Sequence, residues 1–235
     1  MKNSIELLKE LISLRPVSAD IENVNRASGV LFEYLTGEGL HCVVEHADGR
    51  DVLFAATEET KTPDVLLNAH VDVVPAEDHQ FVPFERDGQL VGRGTNDCLG
   101  NAVILAQTLI RCQGRASVGA LFSSDEEIGG MTTRAMVERG YGAQRLILIV
   151  DGSQYAVAVA QKGVLTLELQ AEGKAAHAST PWQGSNAIDT LIDGYARIRD
   201  MFPGVTAGDE WHNTMVASII QAGTVANRVP DKASL

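Results

Sequence analysis

D-V-L-L-N-A-H-V-D-V-V-P, residues 64–75, is the stretch on which the fold turns. Its first six residues are nearly all apolar, as in a central strand buried on both faces of a parallel sheet. Polar character returns abruptly at His70 and Asp72, directly behind that run. Two further segments repeat the arrangement. V-G-A-L-F (118–122) runs into S-S-D-E-E-I-G-G (123–130), and R-L-I-L-I-V (145–150) runs into Asp151. Leu99 to Ile110 is apolar on nearly every side, which predicts a deeply packed helix. Apolar strands alternating with helices imply an α/β domain, with a mainly parallel central sheet flanked by helices.

Working outward, Ile5, Leu8, Leu11 and Ile12 recur at helical spacing. They predict a helix over 4–14 with Ser4 as N-cap and Pro16 stopping it. A second helix is expected from Ile21 to Leu35, closed by Gly37 and Gly39, followed by strands at 40–46 and 52–57. Near residue 162 the pattern changes. G-V-L-T-L-E-L-Q-A-E (163–172) alternates apolar and polar positions, as a half-exposed antiparallel strand does. A helix over 186–201 and a strand over 214–222 follow. The chain therefore divides into an α/β domain over 1–162 and a smaller α+β domain over 163–235.

Composition narrows the function. With 31 acidic and 19 basic residues the formal net charge is −12, which argues against a nucleic-acid backbone or an anionic membrane as partner. No apolar stretch is long enough to span a bilayer, and the first ten residues lack the apolar run of a signal peptide. Cys42, Cys98 and Cys112 are scattered without C-x-x-C spacing and read as free thiols in a reducing, cytoplasmic compartment.

Asp125, Glu126 and Glu127 are three consecutive acids behind a buried strand, where repulsion and lost hydration call for a compensating cation. A solvated acidic turn capping the next helix is the plainer reading of that triplet alone. Three strand ends carrying His70, Asp125 to Glu127 and Asp151 converge if the strands are parallel. Asp97, in G-R-G-T-N-D-C-L-G (92–100) at the start of the buried helix, makes a fourth contributor. Imidazole with several carboxylates and no thiolate suits zinc, with cobalt or manganese as substitutes. The donors outnumber what one tetrahedral ion takes from protein, which favours two ions and an activated bridging water. Adjacent acids at 126 and 127 then divide into one ligand and one general base. Asp72, two residues beyond His70, is placed to accept the second imidazole N–H and fix the ring.

These residues carry a family likeness. The chain resembles the M20 metallopeptidases and amidohydrolases, the group of acetylornithine deacetylase, succinyl-diaminopimelate desuccinylase, aminoacylase-1 and glutamate carboxypeptidase. The matching motifs are H-V-D-V-V-P (70–75), P-F (83–84), G-R-G-T-N-D-C-L-G, D-E-E-I-G-G (125–130) and K-G-V (162–164). A-H-A-S-T-P-W-Q-G-S-N-A-I (176–188) and N-R-V-P-D (227–231) complete the set. The resemblance implies a zinc-exopeptidase-like fold with a lid and dimerisation domain, acting on the amide or peptide bond of a small N-acyl amino acid or peptide. It implies that His70 and Asp151 bind one zinc, that Asp97 bridges the pair, and that Glu127 binds the second. Glu126 would be the general base, Asp72 would steady His70, and Asn227 would contact substrate. His177 would reach across a homodimer to stabilise the oxyanion on the partner.

Three departures accompany the likeness. Asp97-Cys98-Leu99-Gly100 stands where the family commonly has D-M-K-G, and Asp151 stands where many members have Glu. Family members also continue past N-R-V-P-D, finish the lid and supply a last histidine ligand, so an incomplete lid and a site one histidine short are expected here. Two alternatives follow: a truncated, non-catalytic metal-binding or dimerisation fragment, and a lid-less two-zinc aminopeptidase relative.

Overall fold

The computed structural model describes residues 3–151, 156–202, 204 and 211–235. The chain forms two compact units, Met1–Ala156 and Val157–Leu235.

The first unit opens with α1 (Ser4–Ser13) and α2 (Ile21–Gly37). The N-cap of α1 is Asn3, one residue earlier than the sequence suggests. Its side chain accepts from the Glu6 amide while Glu6 accepts from the Asn3 amide, a reciprocal pair that Ser4 could not form from inside the helix. The strands β1 (His41–Ala47) and β2 (Arg50–Ala56) form a hairpin over Asp48 and Gly49, both at positive φ (51° and 73°). Then come β3 (Val65–His70), the short hairpin β4 (Phe84–Arg86) and β5 (Gln89–Val91), α3 (Leu99–Cys112), β6 (Val118–Ser123), α4 (Met131–Glu138) and β7 (Leu146–Ile149).

Five strands make one sheet in the order β1-β2-β6-β3-β7. β3 runs parallel to both β6 and β7, whereas β2 is antiparallel to β1 and β6. The sheet is therefore mixed, and parallel only where it carries the site. The two-residue Asp48–Gly49 turn makes the β1–β2 pair antiparallel, because so short a connection joins only antiparallel strands.

Side chains alternate between two cores. Leu53, Ala55, Leu67, Ala69, Ala120 and Phe122 pack under α1, α2 and α3. Val52, Phe54, Leu66 and Leu121 face Met136 of α4 and Tyr141 on the other side. Helices on both faces are what a chain of near-continuous apolar strands requires. α3 buries Leu99, Ala102, Val103, Leu105, Ala106 and Leu109, leaving Ile104 59% exposed. The edge strand β7 differs from its expected burial: all four residues of L-I-L-I are exposed, and β3 is its one neighbour among the described residues.

The second unit contains β8 (Gln170–Glu172), β9 (Ala176–His177), α5 (Ala187–Arg199), β10 (Gln221–Ala222), β11 (Arg228–Val229) and β12 (Lys232–Ser234). A three-stranded antiparallel sheet, β10-β12-β8, packs Ala171 and Ala233 against Ala187 and Leu191 of α5. β9 pairs with β11. The strands expected over 163–172 and 214–222 shrink to their last residues. Val164, Leu165 and Leu167 lie exposed, with no partner strand among the described residues to hold them extended.

Candidate metal centre

β6, β3 and β7 run in the same direction, so their carboxyl ends share one edge of the sheet. His70 is the last residue of β3, in the middle of that trio. On one side β6 ends at Ser123, level with His70, and leads to Asp125, Glu126 and Glu127. On the other side β7 ends at Ile149, two residues before Asp151. Crevices at such strand ends are where open α/β sheets hold ligands.

Asp97 arrives by a separate route, on the loop entering α3. That loop folds back tightly, and Gly100 is the reason it can: a Cβ there would lie 2.0 Å from the carbonyl oxygen of Thr95. On the third arm, Gly129 and Gly130 both take positive φ (121° and 69°), turning the chain between the acidic triplet and α4. Thr132 closes that turn by donating its amide (2.9 Å) and its hydroxyl to the Asp125 carboxylate. Asp125 is buried and committed to this local bonding, so the triplet divides into one structural acid and two that face the crevice.

His70 Nε2 lies 2.9 Å from Asp97 Oδ1, 3.9 Å from Glu126 Oε2 and 4.0 Å from Asp151 Oδ2. Its Nδ1 lies 2.8 Å from the backbone carbonyl of Asp72 and 3.4 Å from the Asp72 carboxylate. The ring is therefore steadied first by the main chain of Asp72, where the sequence had suggested its side chain. The carboxylate has other partners. It accepts from Ser18 Oγ at 2.7 Å and from the amides of Glu126 at 3.1 Å and Glu127 at 3.3 Å. Asp72 thus joins the imidazole to the loop that carries Glu126 and Glu127. With Nδ1 donating to a carbonyl, Nε2 faces the Asp97 oxygen at 2.9 Å, a pair satisfied either by the second ring hydrogen of a charged imidazole or by a metal ion.

The electrostatics agree. Burial opposes charge on His70, yet the Asp72 carboxylate and carbonyl outweigh it and raise the imidazole to about 9. For Asp72 burial is again the opposing effect, and bonds from His70 and Ser18 hold the carboxyl below its ordinary value. Glu126 is raised by burial and then by Asp151, Asp72 and Asp97, with His70 pulling the other way. Glu127 is raised by burial and then chiefly by Asp97. The neighbouring carboxylates that help to raise His70, Glu126 and Glu127 would also attract a cation.

His70, Asp97, Cys98 and Asp151 each offer a ligand atom, and those atoms all lie within 4.8 Å of one another. Three of the four sequence-read metal ligands thus come together. Glu127 stands outside this group, on the Asp72-bonded turn beside Glu126. Cys98 is the member that sequence reading left out. It is buried, its Sγ donates to Val150 O at 3.2 Å, and burial pushes its thiol up to about 11. Ser18 was also missed. Fifty-four residues separate it from Asp72, and the sequence gives no sign of their pairing.

His177 and Asn227 belong to the second unit and are neighbours within it. The Asn227 carbonyl accepts from the Ala178 amide at 2.9 Å, and His177 pairs with Arg228 across β9 and β11. The Ser179 amide donates to His177 Nδ1 at 3.2 Å, and Ser179 Oγ lies 2.7 Å from the same nitrogen.

Fold and donors together define an α/β layered protein with a candidate divalent-metal centre at the ends of its parallel strands. The chain belongs to Peptidase family M20/M25/M40, whose profile matches residues 66–228. It is 27% identical over 273 residues to a probable succinyl-diaminopimelate desuccinylase of Staphylococcus aureus, covering all of this chain and 66% of that protein. It is 26% identical over 264 residues to a probable carboxypeptidase of Aspergillus fumigatus, covering 96% of this chain and 58% of that one. The chain thus spans no more than about two thirds of the length of these relatives. Among solved structures it resembles an M20 family metallo-carboxypeptidase from Sulfolobus solfataricus, with TM-score 0.70, 14% identity, and coverage of 100% and 70%. A di-peptidase from Saccharomyces cerevisiae gives TM-score 0.63 at 15% identity, covering 98% and 67%. At these identities the likeness speaks for the fold.

Proposed function

We propose that the protein is a zinc-dependent hydrolase of the amide or peptide bond in a small N-acyl amino acid or peptide. The observation that carries this reading is the convergence of His70 Nε2, Asp97 and Asp151 at the strand ends, with the Glu126 carboxylate 3.9 Å from the imidazole. The desuccinylase and carboxypeptidase names of its relatives support the substrate class.

His70, Asp97, Asp151 and Glu127 would hold the metal, zinc, in a complete centre of two ions. When bound, such ions make water a nucleophile near neutral pH and polarise a carbonyl. Glu126 takes the proton of the attacking water and returns it to the amine nitrogen that leaves as the C–N bond breaks. Its raised pKa suits that task, since a base whose affinity for protons approaches the working pH both accepts and releases them. Asp72 positions His70 and the Glu126–Glu127 amides through the bonds described above. The second unit acts as lid and dimerisation domain, with His177 donating to the developing oxyanion in the site of a second copy and Asn227 contacting substrate. A second unit with its own sheet and core favours this reading over a lid-less aminopeptidase.

The test is Glu126→Gln, assayed on N-acetyl amino acids and dipeptides alongside zinc content. The expected variant keeps its zinc and loses hydrolysis by at least about 100-fold. Loss of zinc would make Glu126 a ligand, and undiminished turnover would end its role as base. His177→Ala should depress turnover at unchanged zinc content, and mixing it with Glu126→Gln chains should restore part of the activity.

A further inference from the structure

Cys98 is the residue in the crevice that the proposed chemistry leaves unused. Its backbone follows directly on Asp97, its side chain is fully buried, and Sγ shares the 4.8 Å neighbourhood of the His70, Asp97 and Asp151 ligand atoms. Sγ also reaches Val150 O at 3.2 Å and Asn101 Nδ2 at 3.5 Å, so the sulfur sits between the Asp97 loop and the strand end that carries Asp151. Cys98 packs on the apolar core, and its Sγ lies within 4.8 Å of an imidazole nitrogen and two carboxylate oxygens. Cys42 and Cys112 are part of no such group among the described residues.

We infer that Cys98 supplies a sulfur ligand to the metal held by His70, Asp97 and Asp151, making the centre selective for thiophilic divalent cations. The inference rests on the metal reading proposed above. On binding, the Cys98 S–H bond breaks, its proton passes to solvent, and the sulfur lone pair forms the bond to the ion. A thiolate beside imidazole and carboxylate shifts preference toward zinc, cadmium and cobalt and away from manganese and magnesium, whose bonding to sulfur is poor. It also lowers the net positive charge that the centre presents to a substrate carbonyl.

X-ray absorption at the zinc edge on the zinc-loaded protein tests the inference without any assay of activity. The expected spectrum contains a sulfur shell at about 2.3 Å beside nitrogen and oxygen near 2.0–2.2 Å. Cys98→Ser should lose that shell and keep it in no fraction, while the Cys42→Ser/Cys112→Ser double variant should retain it in full. Zinc bound to the wild-type protein with nitrogen and oxygen neighbours alone would overturn the inference and leave the metal centre standing. A sulfur shell that survives in Cys98→Ser would overturn it equally, by placing the sulfur elsewhere. Absence of bound zinc from the wild-type protein would overturn the underlying metal reading and this inference with it.

Discussion

At Asp72 one fully buried carboxylate serves three donors, Ser18 Oγ and the amides of Glu126 and Glu127, while its own carbonyl receives His70 Nδ1. Removing the carboxylate strands its three donors while the carbonyl bond to His70 stays, and hydrogen bonds to a charged group contribute about 1.5–3 kcal/mol each. Asp72→Ala should therefore lower stability by roughly 3 kcal/mol or more by denaturant titration. It should also weaken zinc binding about 10–100-fold by calorimetry, as outer partners of ligating histidines do. A second residue-scale test lies far from the crevice. Tyr141 Oη donates to Glu45 at 2.9 Å, and this bond is the largest influence holding the Glu45 carboxyl below its ordinary value of 4.5. A depressed carboxyl stabilises the fold above its unfolded pKa and loses that contribution as pH falls through the folded value. Tyr141→Phe should cost about 1 kcal/mol at neutral pH, with the difference from wild type shrinking below about pH 4.5 as Glu45 protonates in both. At this scale His70 and Asp151 were legible because donors behind apolar strands are a pattern of neighbouring residues, and Asp97 from its place before an apolar helix. Cys98 was not, since a thiol in an apolar helix start reads as core until the loop is seen to fold over it. Ser18 and the buried Arg50, which donates to the carbonyls of Ser18 and Ser124, depend on contacts that no local pattern announces.

Among the elements, α3 and the loop before it set the position of Asp97. Gly100 carries the strictest requirement, because a Cβ would meet the Thr95 carbonyl at 2.0 Å, and backbone has nowhere to move without shifting Asp97. Gly100→Ala should destabilise by roughly 1–3 kcal/mol, as overpacking does. It should lower zinc affinity as well, whereas Gly142→Ala, where a Cβ meets nothing within 4 Å, should leave zinc binding unchanged. The long helices and apolar strands of the first unit could be read from periodicity alone. The orientation of β1 and β2 could have been read too, from the Asp48–Gly49 pair, whose positive φ values suit a tight hairpin. The short strands of the second unit resisted reading for a different reason. Alternation over 163–172 supplies a pattern, but a strand also needs a partner, and pairing begins only where β8 meets β12.

For the molecule as a whole, two units with separate cores share one chain, and the proposed metal couples to the stability of the first. A ligand that binds the folded state alone, at 100 times its dissociation constant, adds about 2.7 kcal/mol. Chelation should therefore lower the unfolding temperature of the wild-type protein, and zinc should restore it, with no such response in a His70→Ala/Asp97→Ala variant. Anomalous scattering from zinc-soaked crystals addresses the metal centre most directly. The expected map places a peak about 2.0–2.2 Å from His70 Nε2 and from carboxylate oxygens of Asp97 and Asp151. Zinc peaks elsewhere on the protein, with none at the ends of β3, β6 and β7, would contradict it.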